Sequence, residues 1–134
     1  MDFDRTQTDH LLTTTCAVRK RLDLTKPVPR ELILDCIRIS TQAPAGGNNQ
    51  KWRWVVVDDP AKKAAIADAY RRSYAPYIAR SSGRWRRPAD MGNAKRQPAG
   101  LVGSVIPAVW SYCLAARSRG LGTVWTTLHL PFDG

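Results

Sequence analysis

A short polar loop between two apolar segments constrains this chain more than any other feature. Residues 43–52 read Ala-Pro-Ala-Gly-Gly-Asn-Asn-Gln-Lys-Trp, and the run Arg-Trp-Val-Val-Val follows at 53–57. The paired glycines permit backbone conformations closed to other residues, and the three side-chain amides at 48–50 offer donors and acceptors together. Such amides suit a neutral heterocycle such as a flavin ring edge. The local composition fits a cofactor loop and a plain polar turn equally well.

The loop is the second of three motifs that follow one another along the chain. The basic triplet, Arg19, Lys20 and Arg21, precedes it, and the sequence Ala-Ala-Arg-Ser-Arg-Gly-Leu-Gly comes later, at 115–122. This order resembles the FMN-dependent nitroreductase family. Its members have an Arg-x-Arg signature, a Pro-Ser/Thr-x-x-Asn-x-Gln loop after the second helix, and a later helix ending in Ala-x-x-x-Gly-Leu-Gly. The resemblance covers residues 16–128.

The resemblance implies an α+β fold with a nitroreductase-like sheet flanked by helices, and residues 1–134 as a single domain. Hydrophobic periodicity predicts helices over 10–19, 29–42, 61–74 and 104–117. A strand buried on both faces is predicted at 52–57, where polarity does not alternate, and a second strand at 123–128, where β-branched and aromatic residues dominate. In this arrangement the basic triplet would lie at the end of the first helix.

The sheet is expected to be incomplete in this chain, because two strands alone do not make a stable sheet. Residues 80–88 read Arg-Ser-Ser-Gly-Arg-Trp-Arg-Arg-Pro where the family has a middle strand. The family also has a C-terminal third, absent here, that supplies a further strand, a basic residue for the FMN phosphate and a segment embracing the partner subunit. We therefore expect this shortened member, on its own, to bind FMN weakly or not at all and to associate.

The resemblance further implies which residues hold the cofactor. The residues expected to bind FMN are Arg19, Lys20, Arg21, Pro44, Ala45, Gly46, Gly47, Asn48, Gln50, Thr126 and Thr127. Arginines would hold the phosphate and ribityl oxygens through planar, bidentate donors, the amides would hold polar positions of the flavin, and the threonines would line its ring. Ala45 stands where the family usually has Ser or Thr, so a hydroxyl contact is expected to be lost.

The activity that the resemblance implies is electron transfer from NAD(P)H, through FMN, to nitroaromatic or quinone-like acceptors, in a homodimer. No side chain is expected to act as a catalytic acid, base or nucleophile, because the cofactor carries the hydride chemistry. A non-enzymatic truncated remnant that has lost the flavin site is an alternative.

The formal charge of +10 is concentrated in one segment. Residues 71–96 carry eight Arg and Lys residues against one Asp, interleaved with Tyr74, Tyr77 and Trp85. Mixed guanidinium and aromatic groups are typical of single-stranded nucleic-acid binders, so a small basic nucleic-acid-binding protein is a second alternative. A solvated basic loop, or a basic rim that steers the phosphates of NADPH, explains the same residues.

The cysteines, the histidines and the apolar runs argue against several other classes of protein. Cys16, Cys36 and Cys113 are widely spaced without a C-x-x-C pair, which predicts core thiols in a reducing cytoplasm. His10 and His129 are the only histidines, which argues against a histidine metal site or a hydrolytic triad. The acidic start of the chain and its short apolar runs predict neither a signal peptide nor a membrane span. A cytoplasmic location is therefore expected.

Overall fold

The computed structural model describes residues 3–50, 52–81 and 99–126. These residues form four α-helices and one short 3-10 turn, and they contain no β-strand. The elements are α1 (Arg5–Thr14), α2 (Arg30–Ser40), the 3-10 turn (Gly46–Asn48), α3 (Pro60–Ser81) and α4 (Ala99–Arg117). The chain divides into two compact units, Met1–Arg53 with Gln97–Trp125, and Trp54–Arg96 with Thr126–Gly134. α1, α2 and α4 belong to the first unit and α3 to the second.

Helix α1 lies five residues earlier than predicted. Its N-cap is Asp4, whose Oδ1 accepts a hydrogen bond from the amide of Gln7 at 3.0 Å. The backbone becomes extended at Thr15, and the hydroxyls of Thr14 and Thr15 donate to carbonyls four residues back. The prediction that the basic triplet ends this helix is therefore wrong, because α1 ends at Thr14.

Helices α2 and α4 pack together and form the core of the first unit. The buried residues Cys36, Ala115 and Ala116 lie at their contact, and Leu32, Tyr112 and Leu121 pack around them. Small side chains let the two backbones approach closely, which is why no large side chain is fully buried here. The helix predicted at 29–42 is confirmed as α2. Helix α4 begins at Ala99, so Pro107 lies inside it and not in its first turn as predicted.

The chain after α4 turns back onto the first unit. Gly120 has φ of +76°, which confirms the predicted left-handed end, and the amide of Leu121 donates to the carbonyl of Ala116 at 3.0 Å. Thr123 then forms an isolated parallel bridge with Ala17. Of the strand predicted at 123–128, the structure describes residues as far as Thr126, and only Thr123 makes a bridge.

The apolar run at 52–57 is not a strand in this structure. Its residues have no regular secondary structure, and Val55 is 85% exposed, so the prediction of burial on both faces is wrong for this residue. A strand exists only beside another strand that pairs with its backbone, and the described part of the chain supplies no such neighbour for this run. The sheet that the resemblance implies stays a prediction.

Helix α3 is longer than predicted and continues to Ser81. Asp59 caps its start, with Oδ1 accepting from the amide of Lys62 at 2.8 Å. Tyr70 and Tyr74 stack on its surface with ring centroids 5.9 Å apart. The first part of the basic segment is thus helical, and residues 82–96 of that segment lie outside the described residues.

Two further predictions concern the cysteines and membrane spans. Cys36 and Cys113 are buried, as expected for core thiols, but Cys16 is exposed. It follows the end of α1 in an extended link, so it cannot reach the α2–α4 core. None of the helices described here is both long enough and apolar enough to cross a membrane.

Candidate functional site

The amide loop, residues 43–52, follows the end of α2 and contains two consecutive left-handed residues. Gly47 has φ of +59° and Asn48 has φ of +52°. Glycine adopts this conformation without cost, and asparagine adopts it more readily than most other residues. The side chain of Asn48 is exposed. The loop therefore presents backbone and amide groups to solvent, in a conformation that most sequences could not adopt there.

The loop is fixed at both of its ends. The amide of Gly46 donates to Oγ of Ser104, on α4, at 3.2 Å. Nε2 of Gln50 donates to the carbonyl of Thr41, just beyond α2, at 3.2 Å. Part of the amide of Gln50 thus closes the loop, which leaves Oε1 for a ligand. The sequence reasoning missed Ser104, because a serine within an apolar helix carries no signal of what it contacts.

The basic triplet forms a second exposed feature. Arg19, Lys20 and Arg21 are exposed, and in the described part of the chain none of them makes an ion pair or a side-chain hydrogen bond. Arg21 has φ of +60°, so the backbone turns sharply at this residue. Three cations with no internal anionic partner form a surface suited to an anionic ligand.

A small hydrogen-bonded turn follows the triplet. Oδ1 of Asp23 accepts from the amide of Thr25 at 3.1 Å and from its hydroxyl at 2.7 Å. These hydrogen bonds lower the pKa of the Asp23 carboxyl below its ordinary value. The carboxylate is therefore engaged with Thr25 and its side chain is directed into this local turn.

The two features are attached to α4 through different residues. The amide loop is bonded to Ser104, and the chain that pairs with the basic triplet's segment leaves α4 beside Ala116. At about 1.5 Å per residue, these two helix positions are about 18 Å apart. Within the described residues, no hydrogen bond or ion pair joins the triplet to the loop. Thr126 is half-buried in the second unit, and Thr127 lies outside the described residues.

The first unit contains two open grooves. An open groove of about 450 Å³ is lined by Pro44 of the amide loop, Leu11 of α1 and Arg119 beyond α4, among others. A larger groove, of about 700 Å³, lies between α1 and the end of α4 and includes none of the predicted site residues. Neither groove contains the basic triplet, and Pro44 is the predicted site residue that lines one of them.

Besides Asp23, the titratable groups of the described structure with shifted pKa values lie in the α2–α4 core. Burial raises the pKa of the Cys36 thiol, with Arg119 acting in the opposite direction, and burial also raises the pKa of the Tyr112 hydroxyl. Both groups are therefore protonated at neutral pH. No group of three possible metal ligands exists within the described ranges.

Comparison with known proteins identifies the class of protein. The model of the nitroreductase family matches residues 16–90, which is more than half of the chain and includes both the basic triplet and the amide loop. The chain belongs to the nitroreductase family, as its motifs predict. Proteins of this family are flavin-dependent oxidoreductases with varied reactions.

Three curated relatives show how varied they are. A 5,6-dimethylbenzimidazole synthase of Rhodospirillum rubrum is 29% identical over 131 aligned residues, covering 78% of this chain and 62% of the synthase. An iodotyrosine deiodinase of Haliscomenobacter hydrossis is 34% identical, covering 45% of this chain and 28% of the deiodinase. An NADH dehydrogenase of Thermus thermophilus is 44% identical, covering 32% of this chain and 21% of that enzyme. The chain thus spans less than two thirds of each relative. No solved structure matches it.

Proposed function

We propose that this chain is an FMN-dependent oxidoreductase that transfers electrons from NAD(P)H to nitroaromatic or quinone-like acceptors. The observation that carries the proposal is the pair of exposed features in the first unit, the basic triplet and the amide loop. The first offers three cations that have no ion-pair partner among the described residues, and the second offers amide groups held open by two left-handed residues. An anionic phosphate joined to a polar heterocycle needs both kinds of group.

The chemistry of these donors fits FMN. Arg19 and Arg21 have planar guanidinium groups that bind phosphate oxygens in pairs, and Lys20 adds a third charge. Asn48 offers both a donor and an acceptor to the flavin edge, and Oε1 of Gln50 offers an acceptor. Pro44, Ala45, Gly46 and Gly47 would contact the cofactor mainly through the backbone. Thr126 and Thr127 complete the proposed set.

FMN, held by the basic triplet and the amide loop, would supply the hydride chemistry, so the protein's own groups need only bind and orient. Of the groups with shifted pKa values, Cys36 and Tyr112 lie in the helical core, and the Asp23 carboxylate is bonded to Thr25. No side chain is therefore assigned as a catalytic acid, base or nucleophile.

A homodimer would bring the two features together. Ile106 and Trp110 lie one turn apart on α4, and each is 42% exposed, so they form an apolar stripe on its surface. Trp110 is halfway between Ser104 and Ala116. A two-fold axis near Trp110 would set α4 of two copies antiparallel and place the amide loop of one copy near the basic triplet of the other. Family members typically function as dimers, which supports this arrangement.

The proposal is tested with the purified chain and two flavins. FMN and riboflavin differ only by the phosphate, so titration of each against the protein separates phosphate recognition from ring recognition. We expect FMN to bind more tightly than riboflavin, and the FMN complex to oxidise NAD(P)H when a quinone is added. Equal affinities would contradict the proposal. No binding of either flavin up to millimolar concentration would also contradict it, and would favour the alternative of a remnant that has lost the flavin site.

A further inference from the structure

Gly122 lies where the two side chains that flank the basic triplet meet. Val18 precedes the triplet and Leu22 follows it. A Cβ atom at position 122 would lie 2.6 Å from Cδ2 of Leu22, and 3.1 Å and 3.2 Å from Cβ and Cγ1 of Val18. The first of these distances is shorter than any van der Waals contact between carbon atoms permits. A methyl group at position 122 therefore requires the Leu22 side chain to turn away and Val18 to shift by a few tenths of an ångström.

Val18 can move aside only together with its backbone. Its amide donates to the carbonyl of Thr123 at 2.9 Å, next to the bridge between Ala17 and Thr123. The Cβ of Val18 is bonded directly to this fixed backbone, so no side-chain rotation can displace it. A methyl group at position 122 would consequently push the segment that carries the triplet away from Thr123, or rotate Leu22 into solvent, or both.

We propose that Gly122 is the positioning residue of the phosphate site. By having no side chain, it lets Val18 and Leu22 close together under the triplet, so that Arg19 and Arg21 are presented from one short turn. This inference rests on the proposed function, because it assigns the purpose of the turn to phosphate binding. Gly122 would act through the triplet, without contacting the ligand.

The contact lies at the surface, so it can be altered without unfolding the chain. Gly122 is exposed, Leu22 is 44% exposed, and neither belongs to the α2–α4 core. Replacement of Gly122 by alanine should therefore move the triplet while leaving the helices packed. A thermal midpoint close to that of the wild type is expected.

Three variants test the inference. Gly122→Ala introduces the clash, and Leu22→Ala combined with Gly122→Ala removes the closest contact again, leaving distances that need only small adjustments. Gly103→Ala is the matched control, because a Cβ at position 103 meets nothing within 4 Å. Each is titrated with FMN and with riboflavin by quenching of flavin fluorescence. We expect Gly122→Ala to weaken FMN binding at least about tenfold, the loss of one charge-assisted hydrogen bond.

Riboflavin affinity should change far less in Gly122→Ala, so the ratio of the two affinities should fall toward one. The double variant should recover most of the ratio, and Gly103→Ala should match the wild type. A merely structural effect would weaken both flavins alike. An unchanged ratio in Gly122→Ala would overturn the inference.

Hydrogen exchange of the Val18 amide, measured without flavin, tests the positioning step by itself. We expect faster exchange in Gly122→Ala and wild-type exchange in the double variant, and equal exchange in all variants would also overturn the inference. The wild type decides the proposed function separately. If the wild type binds FMN and riboflavin equally, both the proposed function and the role of Gly122 fail. If the wild type prefers FMN and Gly122→Ala has the same preference, only the role of Gly122 fails.

Discussion

Asn48 combines two properties that a substitution must separate. Its exposed amide is a proposed flavin contact, and its φ of +52° is a conformation that most side chains adopt only with strain. Leucine would match its size but add backbone strain of about 1–2 kcal/mol, so a loss of binding would have two explanations. Glycine removes the amide and accepts the same backbone without cost.

We expect Asn48→Gly to weaken the binding of FMN and riboflavin by similar factors, because the amide is proposed to contact the part that the two flavins share. The thermal midpoint should stay near that of the wild type. Asn49→Gly, at the neighbouring amide, is the matched control and should bind both flavins normally. Calorimetric titration of the three proteins measures this. If Asn48→Gly binds both flavins with wild-type affinity, the loop is not part of the flavin site.

The basic triplet carries the complementary prediction. Replacing Arg19 and Arg21 together by alanine should weaken FMN binding by well over about tenfold, since each hydrogen bond to a charged group contributes about 1.5–3 kcal/mol. Riboflavin affinity should barely change. Replacing Lys62 and Lys63 by alanine removes the same charge from exposed positions of α3 and should leave both affinities unaltered. If the two double variants lose FMN affinity equally, general electrostatic attraction and not a phosphate site explains the binding.

Some residues of the site could be predicted from the sequence and others could not. The paired glycines predict unusual backbone in the loop, and Gly47 is indeed at positive φ, whereas the positive φ of Asn48 was not predicted from its amide. The packing around Gly122 could not be predicted, because it depends on a bridge between Ala17 and Thr123, far apart in sequence. Ser104 was missed for the same reason.

At the scale of helices, local signals decided which predictions held. Pro29, Glu31 in the first turn and a clear apolar spacing predicted α2 correctly. Helix α1 has no buried residue, so periodicity gave little information, and its position depends on the Asp4 cap. The run at 52–57 has strand-forming residues, but a strand needs a partner, and composition cannot show whether a partner is present.

The α2–α4 core predicts a response to alkaline pH. Burial raises the pKa values of Cys36 and Tyr112, so the folded state keeps both protons to higher pH than the unfolded chain does. Stability is therefore complete below their ordinary pKa values, about 8.5 and 10, and falls as the pH rises through the raised values. We expect the thermal midpoint to decrease above about pH 9.

Tyr112→Phe should reduce this decrease, because one of the two ionising groups is gone. Leu32→Val, in the same core, is the control and should lower the midpoint by a similar amount at every pH. Circular dichroism melts from neutral to alkaline pH measure both. A wild-type pH dependence in Tyr112→Phe would show that its hydroxyl does not contribute.

At the scale of the whole molecule, the proposal depends on the apolar stripe of α4. Trp110→Glu places a charge at the proposed two-fold axis and should shift the chain toward monomer in sedimentation velocity, with loss of FMN binding. Ile66→Glu makes the same change at an apolar residue of α3 that is 45% exposed, and it should do neither. Loss of association without loss of FMN binding would show that one copy suffices.

The central claim is that each flavin site combines the triplet of one copy with the loop of its partner. Complementation between two variants with weakened FMN binding tests it most directly. One variant carries Arg19→Ala with Arg21→Ala, and the other carries Asn48→Gly, so each lacks one of the two features. If every site combines the triplet of one copy with the loop of its partner, a mixed dimer has one intact site and one doubly altered site. After the variants are mixed and refolded together, random pairing should restore FMN binding to about a quarter of the wild-type stoichiometry.

The comparison is a ratio to the wild-type chain, so it holds at any absolute affinity. Binding at about a quarter of the wild-type stoichiometry, absent from either variant alone, is the predicted result. A mixture that binds no more FMN than the two variants measured separately would contradict the account, because the triplet and the loop would then not meet between copies.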